Sequence, residues 1–210
     1  FLTPGKKPFF FFFYFPPVES FGMPSFSTIL LAISQYYKEE RDEIEEQSAL
    51  FINALRSDGT PEGTLSTGFI DSAGEGMLVR VDKIYGGFGT APKFPMPGAL
   101  EFLLGRYFLS GNEEIAAALK KTLYAMALGG FHDQLGGGFH RYSTDQAWGV
   151  PHFEKMTDDN AWLLRNYCNA FRVFGDSFFK EVAEGIIGFV DRELSDASGG
   201  FYDSTDADVT

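Results

Sequence analysis

A single cysteine, Cys168, among 210 residues rules out an intrachain disulfide. It lies in an apolar helical pattern and is expected to be a buried, inert thiol. Without a Cys-x-x-Cys pair, the chain cannot carry out dithiol chemistry by itself. Basic residues are also few, with 17 Lys and Arg against 29 Asp and Glu and a net charge of −12. Phosphate binding needs clustered cations, and the densest pair, Lys6–Lys7, is too small, so a nucleic-acid partner has no electrostatic support. No apolar run is long enough to span a bilayer. The nearest, Pro8–Pro17 (PFFFFFYFPP), ends in two prolines with no small-residue cleavage site after it, which argues against a signal peptide. No membrane partner is expected. The compartment and oligomeric state stay open, with the cytoplasm favoured. Exposed, that run would be an aggregation hazard, so it is expected as a buried strand or else as a local sequence error.

Metal and cofactor signatures are missing as well. There is no His-Glu-x-x-His, and the three histidines, spaced eight and twelve apart, match no common zinc arrangement. The segment Gly136–Phe139 (GGGF) follows no strand and opens no Gly-x-Gly-x-x-Gly fingerprint. No metal and no cofactor are expected.

Aromatic rings are abundant. Twenty-four Phe in 210 residues make ring packing a large part of any core. Phe1–Thr3, Pro4–Gly5 and Phe9–Phe15 read as strand, turn and strand. From Ser25, a plausible N-cap, to Arg56 the pattern is helical, either as one solvated bridging helix or as two in succession. Ser57–Gly68 (SDGTPEGTLSTG) has linker composition. Beyond it, helical patterns cover Ile70–Ile84, Pro97–Leu109, Glu113–Leu128, His152–Phe174 and Ser177–Leu194.

A short unit recurs between these helices: Gly86-Gly87-Phe88, Gly129-Gly130-Phe131, Gly137-Gly138-Phe139 and Gly199-Gly200-Phe201. Two glycines allow the chain to reverse through positive φ, and the Phe re-enters the core. Helices punctuated in this way imply repeated helical hairpins. Polar segments follow each unit: GTAPKFP, HDQL, HRYSTD and YDSTDAD. Equivalent hairpins would bring all four to one end of the array and a common pocket.

Three strings, GGFGTAPKFP (Gly86–Pro95), GGGFHRYSTD (Gly136–Asp145) and VPHFEKM (Val150–Met156), resemble signature segments of the spermatogenesis-associated thioredoxin-like proteins and their bacterial relatives. The resemblance extends to Phe1–Pro17 and Gly22–Phe26, which are similar to the last strands and final helix of that family's thioredoxin-like domain. It implies a mainly α fold: the end of a thioredoxin-like α/β domain, then a partial (α/α)6 toroid of the six-hairpin glycosidase and N-acylglucosamine 2-epimerase type. The domain organisation implied is residues 1–56 as the thioredoxin-like remnant with a bridging helix, 57–68 as a linker and 69–210 as the first part of the toroid. Phe1 in place of Met and a stop in a turn-rich stretch read as the ends of a fragment. Two segments depart from the family pattern. Phe11-Phe12-Phe13 stands where Gly-Gly-Thr is usual, and Thr157-Asp158-Asp159 where Leu-Tyr-Asp is usual, which exchanges an aromatic side chain for a carboxylate at the head of a pocket helix.

The densest set of chemically able side chains lies between Phe131 and Glu154. Sugar chemistry at or next to the anomeric carbon needs an acid and a base on either side of the ring, with aromatic faces to stack on it. Glu154 and His152 are the acid/base candidates, with His140 as the second histidine and His132 the weakest. Arg141 and Asp145 would position hydroxyls, Trp148 would offer a stacking face, and Tyr142 and Asp133 complete the set. A plainer reading stands beside this one. Glu154 would sit at a helix start after Pro151, where any protein favours an acid, and His140 and Arg141 would tie loops together. Lys93, between two prolines, is expected either to be solvated, the favoured reading, or to reach the pocket. The function implied is action on, or binding of, a small sugar, by epimerisation, isomerisation or hydrolysis. The alternative is a redox or protein-handling factor whose activity lies in a missing thioredoxin-like segment. The toroid would then be a non-catalytic platform, in keeping with the animal family's association with sperm development.

Overall fold

The computed structural model describes residues 1–20, 22–57 and 66–208. Most of the expected linker, residues 58–65, lies outside them. The chain forms two compact units, Phe1–Thr64 and Leu65–Thr210, and among the described residues no helix is long and apolar enough to cross a membrane.

In the first unit the expected strand-turn-strand shrinks to one bridge, Leu2 with Pro8, closed by Lys6 N–H donating to Thr3 O at 2.9 Å. The Phe9–Phe15 run forms no strand, and Phe11, Phe12 and Phe13 are exposed rather than buried. Prolines on both sides withhold the N–H groups that would extend a ladder. The rings meet one another instead, Phe12 against Phe15 and Phe11 against Phe51. The helical stretch is two helices, α1 (Phe26–Glu39) and α2 (Arg41–Ser57). Ser25 caps α1 by accepting from Thr28 N–H at 3.2 Å. The break falls at Glu40, whose backbone leaves the helical region.

The second unit is built from helices α3 (Thr67–Arg80), α4 (Pro97–Ser110), α5 (Glu113–Leu128), α6 (Thr157–Phe174) and α7 (Ser177–Phe189), the last continued by a π-helical turn at Val190–Leu194. Thr67 and Gly68, expected in the linker, already belong to α3. Two-residue connections fold α4 onto α5 and α6 onto α7. Gly111 and Gly175 end the first helix of each pair in the left-handed region, where a Cβ would be strained. Asn112 and Asp176 then cap the second helix. Helix α6 packs on α7 and α4, and α4 packs on α5. Between them Leu100, Leu103, Leu119, Leu123, Leu163, Tyr167, Phe179 and Ile186 are almost wholly buried. Cys168 is exposed, contrary to the buried thiol expected. On α6 the core-facing stripe runs through Leu163, Tyr167 and Ala170, and position 168 lies one helical step away from it.

Three of the Gly-Gly-Phe units belong to one turn module with an Asp at its head. Asp82, Asp133 and Asp196 each donate their N–H to the second glycine's carbonyl and accept the first glycine's N–H at 2.9 Å. The residue before each Asp bridges to the Phe: Val81 with Phe88, His132 with Phe139 and Ser195 with Phe201. Gly129-Gly130 is different. Gly129 has φ −80, and its requirement is space, because a Cβ there would lie 2.4 Å from Trp148 O and one at Gly130 would lie 2.1 Å from Gly149 O.

Candidate functional site

Short strand pairings stitch the loops after these turns together. Strand β1 (Tyr142–Ser143) pairs with β2 (Pro151–His152), and β3 (Lys155–Met156) with β4 (Ser204–Thr205). Lys93 and Ser143 exchange two backbone hydrogen bonds of 2.8 and 2.9 Å. These bonds correct the sequence reading of residues 152–156. His152 and Glu154 precede α6 rather than opening it, because strand pairing and the Arg141 N–H bond to Glu154 O at 2.8 Å take up the backbone groups a helix would need. The acids in the first turn of α6 are Asp158 and Asp159.

The register sets Tyr142 opposite His152, and their rings stack at 4.8 Å and 15°. Phe94 also meets Tyr142, at 4.9 Å and 34°. Glu154 is mostly covered and accepts from Arg141 Nη1 at 2.8 Å, with His152 Nδ1 3.8 Å from the same carboxylate oxygen. Glu154, His152, Arg141 and Tyr142 are thus brought together. Asp159 joins their electrostatic environment, and its pKa is raised to about 6 by burial and then by the Asp158 and Glu154 charges, against the pull of Arg141.

His140 and Asp133 lie in a more enclosed layer organised by Lys155. The Lys155 ammonium donates to Asp133 Oδ2 at 2.7 Å and to Gly137 O at 2.9 Å. Burial opposes the Asp133 charge. The N–H groups of Gly136 and Leu135, with Lys155, outweigh it and hold the carboxyl well below the usual range. His140 is buried, with Nδ1 unpartnered and its ring edge-on to Phe153 at 5.3 Å. Burial and the nearby Lys155 charge lower its pKa to about 4, so it is a neutral imidazole at physiological pH. His132 is also lowered by burial, and its ring packs on Phe139 at 4.7 Å.

Two candidates go elsewhere. Trp148 is fully buried, with Nε1 donating to Tyr85 O at 3.1 Å and its ring against Phe131, which leaves no face open for stacking. Asp145 holds the β1–β2 loop, where its carboxylate accepts the N–H groups of Ala147, Gly149 and Val150 at 2.7, 3.2 and 2.5 Å. Lys93, expected in solvent, is completely buried. It donates to Asp82 Oδ2 at 2.6 Å and to Gln146 O at 3.0 Å, and lies 5.3 Å from the Trp148 ring centre. A satisfied ammonium is tolerated at this depth because every donor has a partner or a π face.

Sequence reasoning passed over Asp159 and Trp162. Trp162 is 44% exposed, four residues after Asp158 on α6 and at the flank of its core stripe. Arg165 lies over its ring at 5.4 Å and donates to Glu101 at 3.0 Å. Helical spacing from Asp158 was the signal that marks this face. Among the described residues no three His, Cys, Asp or Glu side chains are grouped to hold a metal ion.

Comparisons with known proteins fit this architecture. Residues 1–56 match the thioredoxin-DsbH family model, described as a protein of unknown function, DUF255. Spermatogenesis-associated protein 20 of Rattus norvegicus is 41% identical over 99% of this chain, and the chain spans 28% of that relative's length. Among solved structures, cellobiose 2-epimerase from Spirochaeta thermophila superposes with a TM-score of 0.55 at 17% identity, covering 70% of this chain and 42% of its own. An unsaturated glucuronyl hydrolase specific for heparin gives a TM-score of 0.55 at 18% identity, over 67% and 42%. At such identities these two establish the fold alone, that of a partial (α/α)6 toroid, while the thioredoxin-like character of residues 1–56 rests on the family model. Across the segment it spans, the chain belongs to the spermatogenesis-associated thioredoxin-like family.

Proposed function

We propose that the loop end of the toroid forms a carbohydrate site in which Glu154 is the acid/base and His152 its neighbour, with Arg141 orienting the carboxylate. The observation that carries this is Glu154 Oε2 held at 2.8 Å by Arg141 and 3.8 Å from His152, beside the Tyr142–His152 ring stack. A carboxylate beside aromatic rings matches what a pyranose presents, hydroxyls around the rim and C–H groups on the face. Neutral His140 supplies a second imidazole from the enclosed layer, while Trp148 and Asp145 serve the loop scaffold. The epimerase and hydrolase folds that superpose on the chain support a sugar ligand and leave the reaction open among epimerisation, isomerisation and hydrolysis.

The test is a panel of aldoses and glycosides on the natural full-length protein. Glu154→Gln is expected to lower turnover by about 10²–10⁴, with His152→Ala lowering it less. Absence of both turnover and binding in the wild type overturns the proposal. The thioredoxin-type match over residues 1–56 favours one other reading, in which redox or protein-handling activity resides in the thioredoxin-like part and the toroid is a platform. Thiol-disulfide exchange unchanged in Glu154→Gln, with no sugar bound, is the outcome that selects it.

A further inference from the structure

The sugar reading treats Glu154 as the reacting centre and leaves Phe94 unused. The buried Lys93 beside it acts as an anchor. Its ammonium is fixed on Asp82 and its backbone is paired in both directions with Ser143. Adjacent residues of an extended segment point to opposite sides, so with Lys93 directed inward Phe94 is turned outward. Its ring is 44% exposed and meets Tyr142 at 4.9 Å and 34°. Tyr142 in turn stacks on His152, and His152 reaches Glu154. The order is therefore Phe94, Tyr142, His152, Glu154, with two ring-to-ring steps between Phe94 and the carboxylate. A single pyranose held at Glu154 occupies the His152 end of this row and leaves the exposed ring of Phe94 free. The apolar face of a second, linked sugar is the chemistry that this ring matches.

Resting on the sugar reading, we infer that Phe94 is the platform of a second sugar subsite and that the ligand is a disaccharide or longer glycan rather than a free monosaccharide. A loop that only had to close the turn would not need a large exposed aromatic side chain on such a firmly tied backbone.

The experiment is calorimetric titration of the natural full-length protein with cellobiose, maltose, mannobiose and chitobiose, each beside its own monosaccharide. The wild type is expected to bind at least one disaccharide about tenfold more tightly than its monomer, in line with the worth of one aromatic stacking contact. Phe94→Ala is expected to erase that advantage and leave monosaccharide affinity unchanged, which also reports that the variant is folded. Phe94→Trp is expected to retain it. Equal wild-type affinity for monomer and dimer, or a disaccharide affinity that Phe94→Ala does not change, overturns the inference while the sugar reading stands. Failure of the wild type to bind any sugar overturns both.

Discussion

The turn at Asp82–Phe88 and the turn at Asp133–Phe139 have the same backbone bonds and the same lysine-on-aspartate closure, yet they sit in different surroundings. The Lys93 and Asp82 side chains are 0% and 7% exposed, whereas those of Lys155 and Asp133 are 9% and 31% exposed. Lys93 lies against Trp148, and Lys155 against Phe189 at 4.3 Å. The first pair is sealed and acts as an anchor for the loop that presents Phe94. The second is open on its acidic side, and Lys155 directly follows Glu154 in sequence. One turn chemistry thus serves scaffold in one place and sets the electrostatics next to the candidate site in the other.

The sharpest way to break this comparison is to remove each ammonium. Lys93→Met leaves the buried Asp82 carboxylate its Ile84, Tyr85 and Gln146 donors but no cation, and is expected to cost about 3–5 kcal/mol. Lys155→Met is expected to cost about 1–2 kcal/mol, because water can reach Asp133. Urea unfolding followed by tryptophan fluorescence measures both, and equal losses would show that the two turns do not differ as argued.

A smaller effect concerns His140. Its folded pKa of about 4 lies below the ordinary histidine value, so between about pH 4 and 6.5 the unfolded chain binds more protons and stability falls as pH drops through that window. His140→Phe is expected to flatten this acid limb by on the order of 2 kcal/mol. Lys155→Met should move the His140 resonance titration upward, because the ammonium is one cause of the depression, while Lys93→Met should leave it in place. An NMR titration in which both lysine variants behave alike would remove the distinction between the turns.

The smallest effect is at Asp159. With its pKa raised to about 6, the folded chain holds a proton that the unfolded chain has released, so stability declines as pH rises from about 4 to 6. Asp159→Asn is expected to be more stable than the parent at pH 7 by about 1 kcal/mol, after allowance for its partial exposure to solvent, and equal to it near pH 4. A thermal melt at the two pH values decides, and an Asn variant that is less stable at pH 7 would show that the Asp159 charge is compensated.

The helices were legible where their periodicity was strong. Glu113–Leu128 was read to the residue, since Asn112 before it and Gly129 after it are capping types. His152–Phe174 was read five residues too long. The helical spacing continues into a segment that strand pairing with distant residues had already claimed, and such pairing leaves no local mark. The glycine pairs were visible, but the Asp heading three of them and the lysine closing two of them were not joined to the pattern. Lys93 is 11 residues from its Asp and Lys155 is 22 from its own, so no fixed interval signals the module. Of the candidate residues, Glu154, His152, Arg141 and Tyr142 were identified by type and then found together. Trp148 departs from the expected stacking face because an indole in a polar loop looks available until the fold shows what covers it.

Residue order alone determined the helical class, the hairpin punctuation and the family, because caps, glycine pairs and apolar spacing act over a few positions. Which lysine is buried, which aromatic ring is exposed and which carboxylate has a raised pKa were decided by tertiary structure. Burial and charge are sums over neighbours that the chain brings in from many residues away.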